Sequence, residues 1–553
     1  MIYKAYLMNS LDTVFMNSEI KTDSLKHMSF FRNEAFSFQI ALRADIVSEG
    51  TWNDTVELRA EIESELKDKI TLYTVENVPA MHVGYKKSDD WFLKKDAGLY
   101  PDRLQRRKNN YFSLLPGYWK SIWININEET EKIPSKSYKI SIKFYNRANN
   151  QLVAKREAVF EVLNKMLPKQ SIVATNWVHY DCMAYFSNTK PFSKSFFNVA
   201  EKYIRMAAKN GQNMILTPVF TPPLDTPVGE ERMTVQLVRI KKENNKYFFD
   251  FSYLKHFIEM CKKCGIEYFE HSHLYTQWGA EHAPKIIVSE NGKNKKMFGW
   301  HTNADSDEYR EFLHSYISEL KNFLKVNGYE KIFFFHISDE PSKDNMQSYK
   351  KASDFIHGEL GELPNGDALS DYTFYENGLV QTPIAATDEI EAFIGRAKPL
   401  WAYYTGLQSK DNLSNRLIGM PQERGRILGV ELYYFNIQGF LNWGFNAHHN
   451  RLSRMMTDPR ISSDMDGDFP SGTSYLVYPN GNDVEASVRL MTFRDQMQDI
   501  RALKLLESIT DRKTVCDLIK TFIPNISFKC RTTAEEILEL RNEINRLIAA
   551  SGK

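Results

Sequence analysis

Two acidic residues stand side by side in the run His336-Ile-Ser-Asp339-Glu340-Pro-Ser342, directly after the apolar stretch Ile332-Phe-Phe-Phe335. Burying neighbouring carboxylates costs several kcal/mol in principle, so stability gives no reason for such a pair. Proton transfer does. Like charges this close push one pKa upward, which suits an acid that must stay protonated near neutral pH beside a charged partner. Pro341 adds a mechanical constraint, because it cannot continue a strand ladder and biases Glu340 toward extended backbone. Adjacent strand residues point to opposite faces, so the strand must twist or end for both acids to reach one pocket.

A scaffold has to hold that pair. After Pro168, strand candidates alternate with amphipathic helices, the pattern of βα units around a parallel sheet. The candidates are Ile172-Val-Ala-Thr-Asn-Trp-Val-His, Asn213-Met-Ile-Leu-Thr-Pro-Val-Phe, Glu267-Tyr-Phe-Glu-His-Ser-His-Leu, Lys331-Ile-Phe-Phe-Phe-His-Ile-Ser, Tyr372-Thr-Phe-Tyr, Thr382-Pro-Ile-Ala-Ala-Thr, Leu400-Trp-Ala-Tyr-Tyr and Gly439-Phe-Leu-Asn-Trp-Gly-Phe. Eight such units predict an α/β fold, a (β/α)8 TIM-like barrel over residues 166–505. Helices are expected at 196–209, 252–264, 307–326 and 415–431. In a barrel of this kind catalytic groups sit at the C-terminal ends of strands, where Asp339 and Glu340 fall.

Residues 1–165 read differently. Phe36-Ser-Phe-Gln-Ile-Ala-Leu, Ser121-Ile-Trp-Ile-Asn-Ile and Tyr138-Lys-Ile-Ser-Ile-Lys-Phe alternate apolar and polar residues, the period of half-buried strands. An N-terminal antiparallel β-sandwich is predicted. Residues 506–553 read as C-terminal helices packed on the barrel, with Thr533-Ala-Glu-Glu536 a capping box.

Composition narrows the function classes. Lys plus Arg is 71 against 70 for Asp plus Glu, a net charge of +1, which gives no support for a nucleic-acid or anionic-membrane partner. Five cysteines are sparse and odd in number. Cys261-Lys-Lys-Cys264 lacks the further ligands a zinc site wants and reads as helix residues facing a core. Glu270, His271 and His273 invite a metal reading, but strand alternation separates them. No metal or organic cofactor is expected. The N-terminal residues show no leader pattern and no run of eighteen apolar residues occurs, so a cytoplasmic protein without a membrane span is expected.

The segment 336–342 resembles the signature of glycoside hydrolase family 123, the β-N-acetylgalactosaminidases, and of a related group sharing uncharacterised domain 4091. Further segments fit that group in order: Tyr100-Pro-Asp-Arg-Leu104, Asn176-Trp-Val-His-Tyr-Asp-Cys182, Asn213 to Asp225, His273-Leu-Tyr-Thr-Gln-Trp-Gly279, Leu400 to Tyr404, Gly439 to Asn446, Tyr475-Leu-Val-Tyr-Pro479 and Ser487-Val-Arg-Leu490. One departure is Asp495-Gln-Met-Gln-Asp499, where the family usually has Gly after the first Asp. That stretch is expected to be helical and outside the site.

The resemblance implies a retaining hydrolase of terminal β-linked N-acetylhexosamine, most naturally N-acetylgalactosamine, working on a small-molecule glycan. It also makes chemical sense of adjacent acids. Two independent carboxylates must lie about 5 Å apart across the anomeric carbon, which neighbours rarely do. In substrate-assisted catalysis the sugar's own acetamido oxygen attacks instead. By resemblance Glu340 is then general acid and base, and Asp339 orients the acetamido group. Tyr403 is a candidate donor to the acetamido oxygen. Trp278, Trp401 and Trp443 are candidate walls for the sugar. His179, Asp181 and His336 are candidate hydroxyl partners, as are Gln277 and Asn446. Competing readings are a two-carboxylate glycosidase pairing Glu340 with Glu376 or Asp388, a silent carbohydrate-binding protein, and a metal-dependent hydrolase.

Overall fold

In the computed structural model, which describes residues 2–45 and 55–551, the period-two segments of the N-terminal region form two five-stranded sheets. Met1, residues 46–54 and residues 552–553, which fall within the predicted N- and C-terminal regions, lie outside the described residues. One sheet runs Ile2–Asn9, Phe36–Asp45, Trp119–Ile126, Ile70–Ala80, Gly98–Arg106, antiparallel throughout. The other runs Ser29–Phe31, Leu152–Leu163, Ser137–Asn146, Val56–Glu63, Tyr111–Leu114, antiparallel except at its first pair. Phe38, Ile40 and Ile124 of one sheet share a buried core with Leu58, Ile140 and Ile142 of the other. These are the apolar positions of the alternation, which the pleat turns to one face.

Beyond Pro168 the strands are parallel. Five lie in the spatial order Val173–Asn176, Gly439–Asn442, Trp401–Tyr403, Thr382–Ala386, Gly366–Leu369, and three in the order Met214–Thr217, Tyr268–His271, Phe333–Phe335, eight in all. The two arcs meet at both ends. The Asn213 amide donates to the Ala174 carbonyl at 3.1 Å, and the Ala174 amide donates to Asn213 Oδ1 at 2.8 Å. At the other seam Phe335 bridges Asn365 in parallel. Spatial order therefore follows chain order around the arcs. Most of these strands are buried along their whole length, as strands covered on both faces must be.

Helices Lys194–Lys209, Ser252–Cys264 and Asp307–Asn327 lie where their apolar spacing predicts. Two expectations are corrected. The helix expected from 415 starts at Gln422, after an extended Pro421. The residues before it serve as cross-links instead: Asn415 Nδ2 donates to the Thr405 and Gln408 carbonyls at 2.8 Å, and Arg416 donates to Asn176 and Asn442 at 2.6 Å.

The fifth strand is Gly366–Leu369, not Tyr372–Tyr375, which belongs to the helical turn Thr373–Glu376. Asp371 starts that turn by accepting from the Thr373 amide at 3.0 Å and hydroxyl at 2.7 Å. A turn of helix also buries an isolated apolar residue, Phe374, and so imitates strand alternation over four residues. Gly366 is where the strand can sit so close to its neighbour, since a Cβ there would lie 2.1 Å from the Thr382 carbonyl oxygen.

Helices Val488–Ile509, Arg512–Phe522 and Ala534–Ala550 close the chain; the first runs through residue 505 and contains Asp495 and Asp499. The last carries the predicted capping box of Thr533 and Glu536. Their apolar faces pack with Ile427 and Val430, and with Phe31 and Leu163 of the N-terminal sheets. Cys261 and Cys264 are free and buried in the core. Among the described residues no helix is long and apolar enough to cross a membrane.

Candidate active site

A cleft of about 390 Å³ opens over the C-terminal ends of the parallel strands. Asp339 and Glu340 line it, beyond the fourth strand. The segment that carries them is tied on both sides. From the third strand's loop, the Leu274, Tyr275 and Trp278 amides donate to the carbonyls of His336, Ile337 and Asp339 at 3.1, 2.9 and 2.9 Å. From the fifth strand, Asp367 accepts from the Ile337 amide at 3.0 Å and the Ser338 amide at 3.1 Å, and the Glu340 amide donates to the Ala368 carbonyl at 3.1 Å.

Glu340 has φ +46°, in the left-handed region that a non-glycine residue enters at a cost of roughly 1–3 kcal/mol. The extended backbone expected before Pro341 is therefore not adopted. The strand has ended at Phe335, the backbone turns sharply at Glu340, and both acids line the same cavity instead of opposite faces. Trp278 has φ +62° in the facing loop and is half exposed on the cleft's rim.

No ion pair to either acid occurs among the described residues. Burial, followed by the neighbouring Glu340 charge, holds Asp339 well above the usual carboxylate range, with the charge of His336 working in the opposite direction. Burial also raises Glu340, against hydrogen bonds to its carboxylate from Tyr403 and Trp278. Tyr403 donates its hydroxyl to Glu340 Oε1 at 2.8 Å. The pair therefore resists carrying two charges at once.

Of the other residues singled out from sequence, His179, Gln277, Trp278, Tyr403 and Trp443 line the cleft. Asp181, His336, Trp401 and Asn446 do not; they stand behind its lining. His179 Nε2 donates to the Trp443 carbonyl at 2.9 Å, and Nδ1 accepts from Arg232 at 2.9 Å. Burial and the Arg232 charge push its pKa down to about 3, so the ring is neutral and both nitrogens are occupied. Asp181 grips Arg232 through Nε at 2.9 Å and Nη2 at 2.7 Å. Asn446 exchanges two bonds with the His179 backbone, at 2.9 and 3.0 Å. Trp401 stacks on Phe334 at 4.9 Å beneath the floor.

Gln277 Oε1 accepts from the Asp225 amide at 2.9 Å, while its Nε2 is a buried donor with no protein partner. Of the alternative acids, Glu376 is exposed on the turn after the fifth strand, and Asp388 is held by Gln408 at 2.9 Å outside the lining. Glu270 and His271 point to opposite sides, as alternation requires. Glu270 accepts from Trp177 Nε1 at 3.0 Å and Thr175 Oγ1 at 2.6 Å, whereas His271 meets Tyr316 at 2.6 Å.

The cleft also contains Trp177, Asp225, Arg451, Asp468 and Phe469, which sequence reasoning did not single out. Trp177 follows the first strand directly, so its position at a strand end was a usable signal. The others come from long loops whose approach to the cleft no local pattern encodes.

The chain matches the glycoside hydrolase 123 catalytic domain over residues 177–506, more than half its length. It belongs to glycoside hydrolase family 123. This family 123 member is a glycoside hydrolase, and a glycan is its class of substrate. Its fold is similar to that of a family 123 glycoside hydrolase from Clostridium perfringens, studied for glycolipid glycan hydrolysis. The two are 14% identical with a TM-score of 0.72, over 99% of this chain and 98% of that one. A β-glucuronidase from Bacteroides uniformis aligns at 10% identity and a TM-score of 0.30, over 86% of this chain and 50% of its own. A family 39 glycoside hydrolase from Bacteroides cellulosilyticus aligns at 8% and 0.33, over 80% and 81%. No curated protein matches the chain.

Proposed function

We propose that this family 123 hydrolase removes terminal β-linked N-acetylhexosamine, N-acetylgalactosamine foremost, by substrate-assisted catalysis with Asp339 and Glu340. The observation that carries this reading is the pair itself: adjacent acids, turned into one cleft by the left-handed backbone at Glu340, with no cation paired to either among the described residues. On this reading the two parallel arcs form the (β/α)8 barrel of a catalytic domain at 166–505. The N-terminal sheets form a β-sandwich over 1–165, and the helices of 506–553 brace both.

Glu340 gives its proton to the glycosidic oxygen as the acetamido oxygen attacks the anomeric carbon from the opposite face, so the aglycone leaves as an alcohol. Asp339 accepts the acetamido N–H bond and stabilises the oxazolinium ion electrostatically. The Glu340 carboxylate then takes a proton from the incoming water, whose oxygen attacks the anomeric carbon and reopens the ring. Two inversions give net retention. Tyr403, bonded to Glu340 in the free enzyme, holds that carboxyl in place and is near enough to the pair to serve the acetamido oxygen when substrate arrives. Trp177, Trp278 and Trp443 supply flat apolar walls, and the free Nε2 of Gln277 offers a donor to a sugar hydroxyl.

The exposed position of Glu376 and the Gln408 bond of Asp388 weigh against a second carboxylate nucleophile. Paired aryl β-glycosides of N-acetylgalactosamine, N-acetylglucosamine, galactose and glucose test the reading. Cleavage of the acetamido sugars alone, lost in Glu340→Gln and Asp339→Asn, is expected. Cleavage of plain galactoside or glucoside would refute it.

A further inference from the structure

Beneath the acid pair lies a second charged group that the reaction scheme does not use. His336 is fully buried, three residues before Asp339 on the same segment. Its Nε2 lies 3.1 Å from Glu270 Oε1 on the third strand, and its Nδ1 lies 3.5 Å from Asp367 Oδ1 on the fifth. Both carboxylates are fully buried as well.

Their remaining contacts are to groups that donate. Glu270 accepts from Thr175 Oγ1 at 2.6 Å and Trp177 Nε1 at 3.0 Å. Asp367 accepts from the Ile337 and Ser338 amides at 3.0 and 3.1 Å and from the Tyr349 hydroxyl at 2.6 Å. Carboxylates ringed by N–H and O–H donors are bare acceptors. A neutral imidazole between two of them could donate to only one and would turn a lone pair on the other. A doubly protonated ring donates to Glu270 and turns its second N–H toward the Asp367 carboxylate, an ion-pair contact at 3.5 Å rather than a formed hydrogen bond.

The other titratable groups facing His336 are His271 and His273 of the third strand's end and Asp339 of its own segment. His273 stacks on it, ring centroids 4.7 Å apart and planes 20° apart. Burial and the His336 charge hold His273 well below the usual histidine range, so the stack carries one positive charge rather than two.

We propose that His336 is a fixed imidazolium, clamped between Glu270 and Asp367, whose positive charge favours an ionised Asp339 against the burial of its carboxyl. His336 is thus a positioning residue. It acts through Asp339 and does not touch the sugar, since it stands behind the cleft lining. The proposal rests on the acid and base roles given above to Glu340 and Asp339. Burial alone would drive the proton off this ring; the carboxylates of Asp367 and Glu270 on either side outweigh it and lift its pKa to about 9.

Asp367 adds a mechanical link. The carboxylate that faces the imidazolium also holds the two amides preceding Asp339, so charge and backbone position are fixed by one group.

Two measurements test this, one of them independent of turnover. In the full-length protein labelled with 15N-histidine, the His336 ring nitrogens are expected to report a doubly protonated imidazolium at pH 7, assigned by their loss in His336→Gln or their displacement in Glu270→Gln. A neutral ring at pH 7 would overturn the proposal whatever the enzyme's substrate proves to be.

In the pH profile of kcat/KM, the acid limb reports protonation of Asp339. It is expected to move up in His336→Gln, which removes a charge that lowers Asp339, and by less in Glu270→Gln. A lower rate with an unmoved acid limb would assign His336 a packing role only and refute the proposal. An inactive wild-type enzyme on acetamido sugars would instead fail the functional reading, leaving the histidine signal to decide this one.

Discussion

Two of the places where the molecule buries carboxylates treat them in opposite ways. Where the N-terminal sheets meet the helix after the eighth strand, Asp102 is bidentate to Arg489, with both contacts at 2.9 Å. Nearby, Asp499 sits between Arg426 at 2.8 Å and Arg541 at 2.6 Å. Burial alone would raise Asp499, but the two guanidinium charges outweigh it and hold its carboxyl below the usual range. At the cleft, Asp339 and Glu340 have no such partner and both are raised. At these two places the same residue types are cross-links where arginine meets them and proton carriers where it does not. Two segments that resemble the family, Tyr100 to Leu104 and Ser487 to Leu490, meet in the Asp102–Arg489 pair and serve the joint rather than the cleft.

That contrast can be broken at either end. Glu340→Gln is expected to lower kcat on an acetamido glycoside by about 10²–10⁴-fold, with a melting temperature equal to or above that of the parent. Steady-state kinetics beside calorimetry would separate the two effects; a large loss of stability would make Glu340 a structural acid. Arg489→Met leaves Asp102 buried beside the Tyr478 hydroxyl and little else, and should cost about 3–5 kcal/mol in denaturant unfolding. A loss below about 1 kcal/mol, the range of surface ion pairs, would contradict a buried structural role.

Asp339→Asn sharpens the comparison by a smaller effect. Because the folded protein raises Asp339, the unfolded chain ionises first as pH rises, and the native state loses stability between the unfolded value near 4 and the raised one. The substitution should therefore stabilise the fold at pH 8, and by less as pH falls toward 4. Melting curves at both pH values check this; a variant less stable at pH 8 would show a stabilising carboxylate.

Much of this was legible in the chain. Asp339 and Glu340 stood out because two acids before proline and after four apolar residues make no sense as packing. The parallel strands were visible wherever a run of apolar residues exceeded one helical turn. Gly366–Leu369 was not, since Gly-Asp-Ala-Leu is too short and mixed to carry a period, and the helical turn at Thr373–Glu376 offered a better imitation.

The local sequence also gave the wrong backbone for Glu340: Pro341 disfavours the turn that tertiary bonds to Trp278 and Ala368 impose around it. His336, Asp181 and Asn446 were noticed but not as supporting groups, because their partners (Glu270 and Asp367, Arg232, and His179 respectively) lie far away in the chain. Chemistry-bearing residue types are local information, and what each one faces is not.

The central claim is that the substrate's own acetamido oxygen, and no protein carboxylate, attacks the anomeric carbon. It is tested most directly by comparing kcat/KM on aryl β-N-acylgalactosaminides whose acyl methyl carries zero, one, two or three fluorines. The account predicts a steep, monotonic fall as fluorine withdraws electrons from the acyl oxygen. A rate indifferent to fluorine would contradict it and return the nucleophile to the protein.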